Sequence, residues 1–258
     1  MNAPEPKTLP SIRARVSGEE WRARVDLAAV YRLVALNGWD DLIYTHISAR
    51  VPGEEHRYLI NPWGVMFSEI TASSLVKVDL ECRPQQETPY QVNRNGFVLH
   101  AAIHRARENA GCVMHTHTDY GIAVAAQKQG LLPLSQHSLF PLASLAYHDY
   151  RGLVIGEDEQ RQLVAELGRR NNLILRNHGL VTVGATPADA YLLMYDLERA
   201  CRIQILAQAG GAELNRVVPD VQEAIARDTG DANASPDTPL VWAGLLRRLD
   251  RVDPSYRD

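Results

Sequence analysis

The chain has 258 residues, of which 45% are hydrophobic, and a formal net charge of −4. This length and composition suffice for one large α/β domain or two small ones, and the lack of a basic stripe argues against a nucleic-acid partner. Its three scattered cysteines fit a reducing compartment, and it shows neither a secretory-leader pattern nor an apolar run of ~20 residues, so we expect a cytoplasmic protein that does not span a membrane.

The N-terminal part is predicted to be an extended arm over residues 1–16, followed by a long helix. Ser17 has the character of an N-cap, and Glu20 three residues later would complete a capping box. An apolar stripe at helical spacing then continues to Asn37-Gly38, where the helix should end. The main domain therefore begins at residue 17.

Short β-prone runs and one helix follow. The predicted strands are residues 42–44, 47–51, 58–60 and 76–80, and the helix spans residues 97–107. His100 and His104 lie four apart on that helix. We interpret them as packing or hydrogen-bonding histidines because no acidic residue lies beside them, with a metal pair as the alternative.

Three histidines in the middle of the chain have the spacing of a metal centre. His115 and His117 follow the apolar run Cys112-Val113-Met114, and residues i and i+2 of a strand point to one face. His178 follows another strand-like run and precedes a glycine. Three such imidazoles would leave one position open on a bound ion, as in catalytic zinc sites. We predict that they bind a divalent metal, with zinc favoured over manganese or iron; surface or core histidines are the alternative.

The second half alternates further helices and strands. Predicted helices span residues 121–127, 158–170, 187–208 and 242–249, with strands at 173–178 and 180–183. Residues 226–238 are polar and turn-rich, which predicts a mobile segment. We therefore divide the chain into the arm, one α/β domain over residues 17–210, and a C-terminal extension with a short helix over residues 211–258.

Several motifs in order resemble the class II aldolase and adducin family across residues 22–210. They are Thr45-His46-Ile47-Ser48-Ala49-Arg50, Leu59-Ile60-Asn61-Pro62-Trp63-Gly64, Leu99-His100-Ala101-Ala102-Ile103-His104, Met114-His115-Thr116-His117 and Asn177-His178-Gly179. The resemblance implies a three-layer α/β/α sandwich around a largely antiparallel central sheet, and a homotetramer with sites between subunits. It also implies zinc ligands at the positions of His115, His117 and His178.

The chain departs from the sugar-phosphate aldolases of that family at four sites. Gly96 replaces a glutamate that acts as base, and Thr45-His46, Trp63-Gly64 and Arg94-Asn95 replace short residues of the phosphate-binding loops. Glycine and small hydroxyl residues suit phosphate because they let donors approach closely, whereas Trp and His would fill that space. We therefore expect an adducin-like subgroup and a non-phosphorylated small-molecule substrate, with substrate contacts from His46, Trp63, Arg94 and Asn95.

His137 is the candidate catalytic residue. It falls near the position where some aldolases of the family carry a tyrosine that donates a proton across the subunit interface. An imidazole there could act as a general acid or base near neutral pH. A histidine that forms a hydrogen bond within an interface is the alternative.

Three functions are compatible with these residues. The favoured one is a metal-dependent lyase, either an aldolase or a decarboxylase. Its substrate would be a non-phosphorylated hydroxy- or oxo-carboxylate, and aromatic acids are among the candidates. Trp63 could stack on an aromatic ring and Arg94 could pair with a carboxylate. Decarboxylation needs no base to deprotonate a substrate hydroxyl, so loss of the glutamate affects it least. The alternatives are a non-haem iron oxygenase, which usually has a carboxylate ligand, and a non-catalytic adducin-like scaffold.

Overall fold

The structure is a computed structural model that describes residues 11–152, 156–230 and 232–258. Its helices are α1 (Gly18–Leu36), α2 (Arg94–Ala106), α3 (Asp119–Ala125), α4 (Gln136–Ala143), α5 (Glu157–Leu167), α6 (Pro187–Gln208), α7 (Pro219–Thr229) and α8 (Thr238–Val252). Its strands are β1 (His46–Arg50), β2 (Tyr58–Ile60), β3 (Val76–Val78), β4 (Cys112–Thr116), β5 (Leu145–His148), β6 (Asn172–Leu175) and β7 (Gly179–Gly184). Among these described helices, none combines the length and apolar character needed to cross a bilayer.

The seven strands form one sheet in the order β3-β2-β1-β4-β7-β6-β5. All neighbouring pairs are antiparallel except β5 and β6, which are parallel. The expectation of a largely antiparallel central sheet is therefore confirmed. In the β1–β4 pairing, His46 lies directly opposite His115, which brings two of the family-like motifs into contact.

Helices cover both faces of the sheet. Cys112 and Met114 of β4 pack in a cluster with side chains of α1, α3 and α6, whereas Val113 between them packs with side chains of α2 and α5. Alternate residues of a strand point to opposite faces, so β4 is buried on both sides. This arrangement confirms the predicted three-layer α/β/α sandwich.

The first helix begins where the sequence indicates, but its predicted capping box is only half formed. The Ser17 hydroxyl accepts a hydrogen bond from the Glu20 backbone N–H at 3.0 Å. The Glu20 carboxylate does not return to Ser17; it pairs instead with Arg24 and Lys77, each at 2.8 Å. Arg24 and Glu20 are both buried, and a buried guanidinium requires a partner charge. Tertiary burial therefore decides where the Glu20 side chain points.

The predicted strand at residues 42–44 is wrong. Leu42 adopts a left-handed conformation with φ of 51°, and the Tyr44 N–H donates to the Asp41 carbonyl at 2.8 Å, so this stretch is a turn. Besides the helix α7, two elements were not predicted, the short strand β5 and the helix α4. Both lie in the apolar stretch of residues 131–148, where Pro133 and Pro141 obscure any periodicity.

The C-terminal extension is more helical than its composition indicates. Residues 226–229, predicted to be mobile, form the end of α7, and α8 begins at Thr238, four residues before the predicted start. The Trp242 indole N–H donates to Asp26 of α1 at 3.1 Å, so α8 packs on the main domain. At the other end, residues 13–15 of the predicted arm form a 3-10 turn, and residues 1–10 lie outside the described residues.

Candidate metal centre

The structure brings together the three histidines that are predicted from the sequence to bind a metal. His115 lies at the end of β4, His117 follows that strand by one residue, and His178 occupies the turn between β6 and β7. The Nε2 atom of His117 lies 3.0 Å from Nε2 of His115 and 3.0 Å from Nε2 of His178. The i, i+2 spacing therefore does place both imidazoles of the H-x-H motif at one point.

The turn that carries His178 depends on the glycine that follows it. A Cβ at Gly179 would lie 2.4 Å from the Thr116 carbonyl oxygen and 3.1 Å from Cδ2 of His117. No side chain fits at that distance, so only glycine lets β7 start this close to the end of β4. Asn177, which precedes His178, adopts a left-handed conformation with φ of 58° that Asn tolerates well.

Two of the three imidazoles are oriented by an acceptor at Nδ1. His115 Nδ1 donates to the Leu180 carbonyl at 2.9 Å, and His117 Nδ1 lies 2.9 Å from a carboxylate oxygen of Asp41. With the proton on Nδ1, the lone pair of Nε2 is free for a metal. Carbonyl and carboxylate partners of this kind are typical of histidines that bind metals.

Burial also favours the uncharged form of His115 and of His178. It lowers the pKa of His115 well below its ordinary value, and the neighbouring imidazoles add to the shift. For His178, burial followed by the closeness of His117 lowers the pKa to about 4. Neutral imidazole is the form that binds a metal, so the site is ready for a cation at neutral pH.

The donor set fits zinc. Nitrogen ligands bind Zn²⁺ at about 2.0–2.1 Å, and two of them in tetrahedral geometry lie roughly 3.3 Å apart. The observed 3.0 Å spacings between Nε2 atoms are close to that value. Nitrogen lone pairs that face one another at this distance repel unless a cation lies between them. Since this set of three histidines contains no carboxylate, it departs from the usual two-histidine, one-carboxylate iron site.

A cavity of about 340 Å³ opens onto the three histidines. It lies between the turn after α1, the start of α2, the end of β4 and the segment after β5. Besides the three histidines, its described lining consists of Asp41, Tyr44, His46, Asn93, Asn95, Gly96, Leu99, His148, Asp149, Tyr150, Gly152, Glu159, Leu163 and Leu175. This volume suits a small molecule.

The predicted substrate contacts divide into two groups. His46 and Asn95 line the cavity. Trp63 does not line it in the described structure, but its ring lies 6.2 Å from that of Tyr44, which does. Arg94 is exposed at the start of α2 and also lies outside the lining.

His137, the predicted proton donor, does not lie in the cavity of its own chain. It is exposed on α4, near Asp196 of α6. Burial raises the pKa of Asp196 to about 6, and the nearby His137 opposes that shift. Asp196 lines a separate cavity of about 430 Å³ between α4, α6 and residues 228–230 and 234–238. Any contact of His137 with the metal centre would have to be made with that of another subunit.

Several residues of the site were not identified by the sequence analysis. Asp41 bonds to His117, Tyr44 lines the cavity, and the Tyr150 ring lies 5.9 Å from that of His178. Tyr44 lies in the predicted strand of residues 42–44, which instead forms a turn that begins at Asp41. His148, two residues before Tyr150, also lines the cavity, and its Nδ1 lies 2.6 Å from the Glu166 carboxylate.

Comparison with known families gives a match over most of the chain. Residues 25–205 match the family model described as the class II aldolase and adducin N-terminal domain. A protein of Caulobacter vibrioides named as a candidate class 2 aldolase is 53% identical over 96% of both chains. Rat alpha-adducin is 43% identical over 89% of this chain, which corresponds to 33% of the adducin.

Solved structures agree with this match. The crystal structure of an aldolase II superfamily protein from Pseudomonas syringae superimposes with a TM-score of 0.92 and 46% identity, covering 96% of this chain and 99% of that one. The L-fuculose 1-phosphate aldolase of Glaciozyma antarctica superimposes with a TM-score of 0.78 and 26% identity, covering 98% and 97%.

Proposed function

This chain belongs to the class II aldolase and adducin family, and on that premise we propose that it is a metal-dependent lyase for a non-phosphorylated hydroxy- or oxo-carboxylate. The observation that carries the proposal is the convergence of three imidazoles, two of them oriented by an acceptor at Nδ1, on a cavity large enough for such a molecule. A divalent cation, most simply zinc, would supply Lewis-acid polarisation of substrate oxygens there.

The charge of the cavity supports a carboxylate rather than a phosphate ester. The described lining contains no lysine or arginine, and it contains Asp41, Asp149 and Glu159. A phosphate dianion would meet these acidic groups without a basic side chain to offset them. A carboxylate carries only one negative charge, and the cation held by the three histidines can balance it. Gly96, without a side chain, supplies no carboxylate to act as base.

Two residues are candidates for the proton donor. Tyr150 lies beside His178 and lines the cavity, so its hydroxyl is one candidate. His137 is the other, acting in the site of a neighbouring subunit. That role requires the homotetramer that the family resemblance implies, and we include this assembly in the proposal.

Metal content and product release test the proposal together. Purified protein should contain about one zinc or manganese ion per chain, and His178→Ala should lose it while His56→Asn, which removes an exposed histidine, should not. A panel of aliphatic and aromatic hydroxy- and oxo-acids should include at least one that releases an aldehyde or carbon dioxide. Full metal content in His178→Ala would refute the site.

Two other functions would give different results. The 43% identity to rat alpha-adducin favours a non-catalytic binding protein as the second candidate, and metal-loaded protein that turns over nothing in the panel would support it. An iron oxygenase would contain iron and consume oxygen in the presence of substrate. The absence of a carboxylate from the three-histidine set argues against that function.

A further inference from the structure

A hydrogen-bond network of four buried side chains leads away from the cavity beside the metal centre. His46 Nδ1 lies 2.7 Å from Nε2 of His100, and Nδ1 of His100 lies 2.7 Å from the Ser48 hydroxyl. That hydroxyl lies 2.8 Å from Nε2 of His104. The network ends at the Ala110 carbonyl, which lies 3.0 Å from Nδ1 of His104. The antiparallel β1–β4 pairing and the packing of α2 against β1 bring these groups together.

The carbonyl at the far end determines where every proton lies. A carbonyl only accepts, so His104 carries its proton on Nδ1 and presents a lone pair at Nε2. Ser48 must donate its single proton there, and it therefore accepts from Nδ1 of His100. Nε2 of neutral His100 then accepts from Nδ1 of His46. In neutral His46, the lone pair is left on Nε2.

The surroundings of this hydrogen-bond network favour these neutral forms. His100 is fully buried and His104 is 2% exposed. The charged side chain that acts on His104 is Arg50, which donates to the Ala110 carbonyl at 2.9 Å. Burial, followed by the positive charge of Arg50, lowers the pKa of His104 to about 3. A positive charge on His100 would add to the positive charge of Arg50. No carboxylate is among the hydrogen-bond partners of the network to offset it.

Gly96 lets the His46 ring reach the cavity. A Cβ at position 96 would lie 2.4 Å from Cδ2 of His46 and 2.5 Å from Nε2. The imidazole therefore occupies the volume into which a side chain at position 96 would project. Both residues line the cavity, and the His46 ring centroid lies 5.1 Å from that of His115. Within the described residues, no hydrogen bond is made by Nε2 of His46.

We propose that His46 is a specificity-determining residue whose Nε2 lone pair selects substrates that place a hydroxyl group beside Gly96. An ether or carboxylate oxygen at this point has no proton to donate and would face the lone pair directly. Ser48, His100 and His104 are positioning residues that hold His46 in this tautomer. The identity of the occupant rests on the proposed function, whereas the tautomer of His46 does not.

The tautomer can be read by NMR of zinc-loaded protein with ¹⁵N-labelled histidine, using couplings between ring carbon protons and ring nitrogens. His46→Gln identifies the His46 signals by their loss. We expect a protonated Nδ1 and an unprotonated Nε2 at His46, retained in Ser48→Thr, which keeps the hydroxyl. In Ser48→Ala, His100 and His46 should exchange between tautomers. A proton on Nε2 of wild-type His46 would overturn the proposal.

Selection can be measured with glycolate and methoxyacetate, which carry the same carboxylate and differ in whether the neighbouring oxygen has a proton. Calorimetric titration of zinc-loaded wild type should show tighter binding of glycolate. Ser48→Ala should reduce that preference by about threefold to tenfold, the worth of one hydrogen bond, with zinc content unchanged. A preference based on size alone would survive in Ser48→Ala, and that result would overturn the proposal, as would no binding of either probe.

These results separate the role of His46 from the lyase. If glycolate binds with the expected preference and no hydroxy-acid is cleaved, the lyase is refuted and the selection by His46 stands. If a hydroxy-acid is cleaved while His46 carries its proton on Nε2, the reverse holds.

Discussion

A carboxylate oxygen of Asp41 lies 2.9 Å from Nδ1 of His117, across a separation of 76 residues in sequence. Asp41 sits in the turn after α1, and His117 follows the central strand β4. The contact fixes which imidazole nitrogen faces the other two histidines. It therefore links the conformation of a surface turn to the capacity of the three histidines to hold a cation.

Replacing Asp41 with Asn should weaken metal binding without abolishing it. The amide can still accept a hydrogen bond from His117, but it loses the negative charge that makes the imidazole a stronger ligand. We expect the zinc dissociation constant to rise by about 10–100-fold, measured by competition with a chromogenic chelator. Asp40→Asn changes the adjacent carboxylate and should leave zinc affinity within about twofold of wild type. Equal affinities in both variants would show that the contact does not tune the site.

Gly96→Ala should be destabilising although alanine favours helices. Its Cβ would lie 2.4 Å from Cδ2 of His46, and relieving such an overlap in a packed region costs typically ~1–3 kcal/mol. The helical control is Gly244→Ala in α8, where the new Cβ meets nothing closer than 3.7 Å; there we expect a gain of up to ~1 kcal/mol. Urea unfolding of the metal-free proteins measures both.

A double-variant cycle tests whether His46 causes the Gly96 effect. In a His46→Ala background the ring is gone, and Gly96→Ala should cost about 1 kcal/mol less than in wild type, or nothing. An identical cost in the two backgrounds would assign the destabilisation to the helix backbone instead.

The metal-free protein should lose stability as the pH falls from 6.5 towards 4, and His104 should contribute to that loss. Burial lowers the pKa of folded His104 to about 3 from its ordinary 6.5. Between these values the unfolded chain binds a proton that the folded chain does not, so acidification favours unfolding by about 1.4 kcal/mol per pH unit. Below the folded pKa this dependence ends.

His104→Gln should make that pH dependence shallower. Glutamine cannot take up a proton when the chain unfolds, so the slope of unfolding free energy between pH 4.5 and 6.0 should fall by about 1.4 kcal/mol per unit. The amide can still donate to the Ala110 carbonyl and accept from Ser48, which limits the structural loss. Urea unfolding at several pH values gives the slopes, and the same slope as wild type would contradict the assignment.

His137→Ala should lower turnover without loss of zinc, if His137 acts in the site of a neighbouring subunit. The control is Gln136→Ala, at the preceding exposed position of α4, which should keep wild-type turnover. Refolding a mixture of His137→Ala and His178→Ala chains should restore part of the activity, because mixed oligomers would contain sites with both histidines intact. No recovery, or an unchanged rate in His137→Ala, would return His137 to a structural role.

Local patterns in the sequence were sufficient for much of the fold. The Ser17 N-cap, the apolar stripe of α1 and the run Cys112-Val113-Met114 are determined by spacing alone, because helices and strands repeat at fixed periods. The same periodicity placed His115 and His117 at one point. The family match confirms the sandwich and the largely antiparallel sheet. Metal binding by the three histidines stays a prediction.

Only the tertiary structure decided the surroundings of that centre. The turn that holds Asp41 was predicted as a strand, since Leu42-Ile43-Tyr44 has β-prone side chains whatever the backbone does. The contact of His46 with His100 joins positions 54 residues apart. It depends on the register of β1 and the rotation of α2, and neither of these produces a periodic pattern in the sequence. Composition and spacing encode which face a residue occupies; which side chain it meets there is decided by packing.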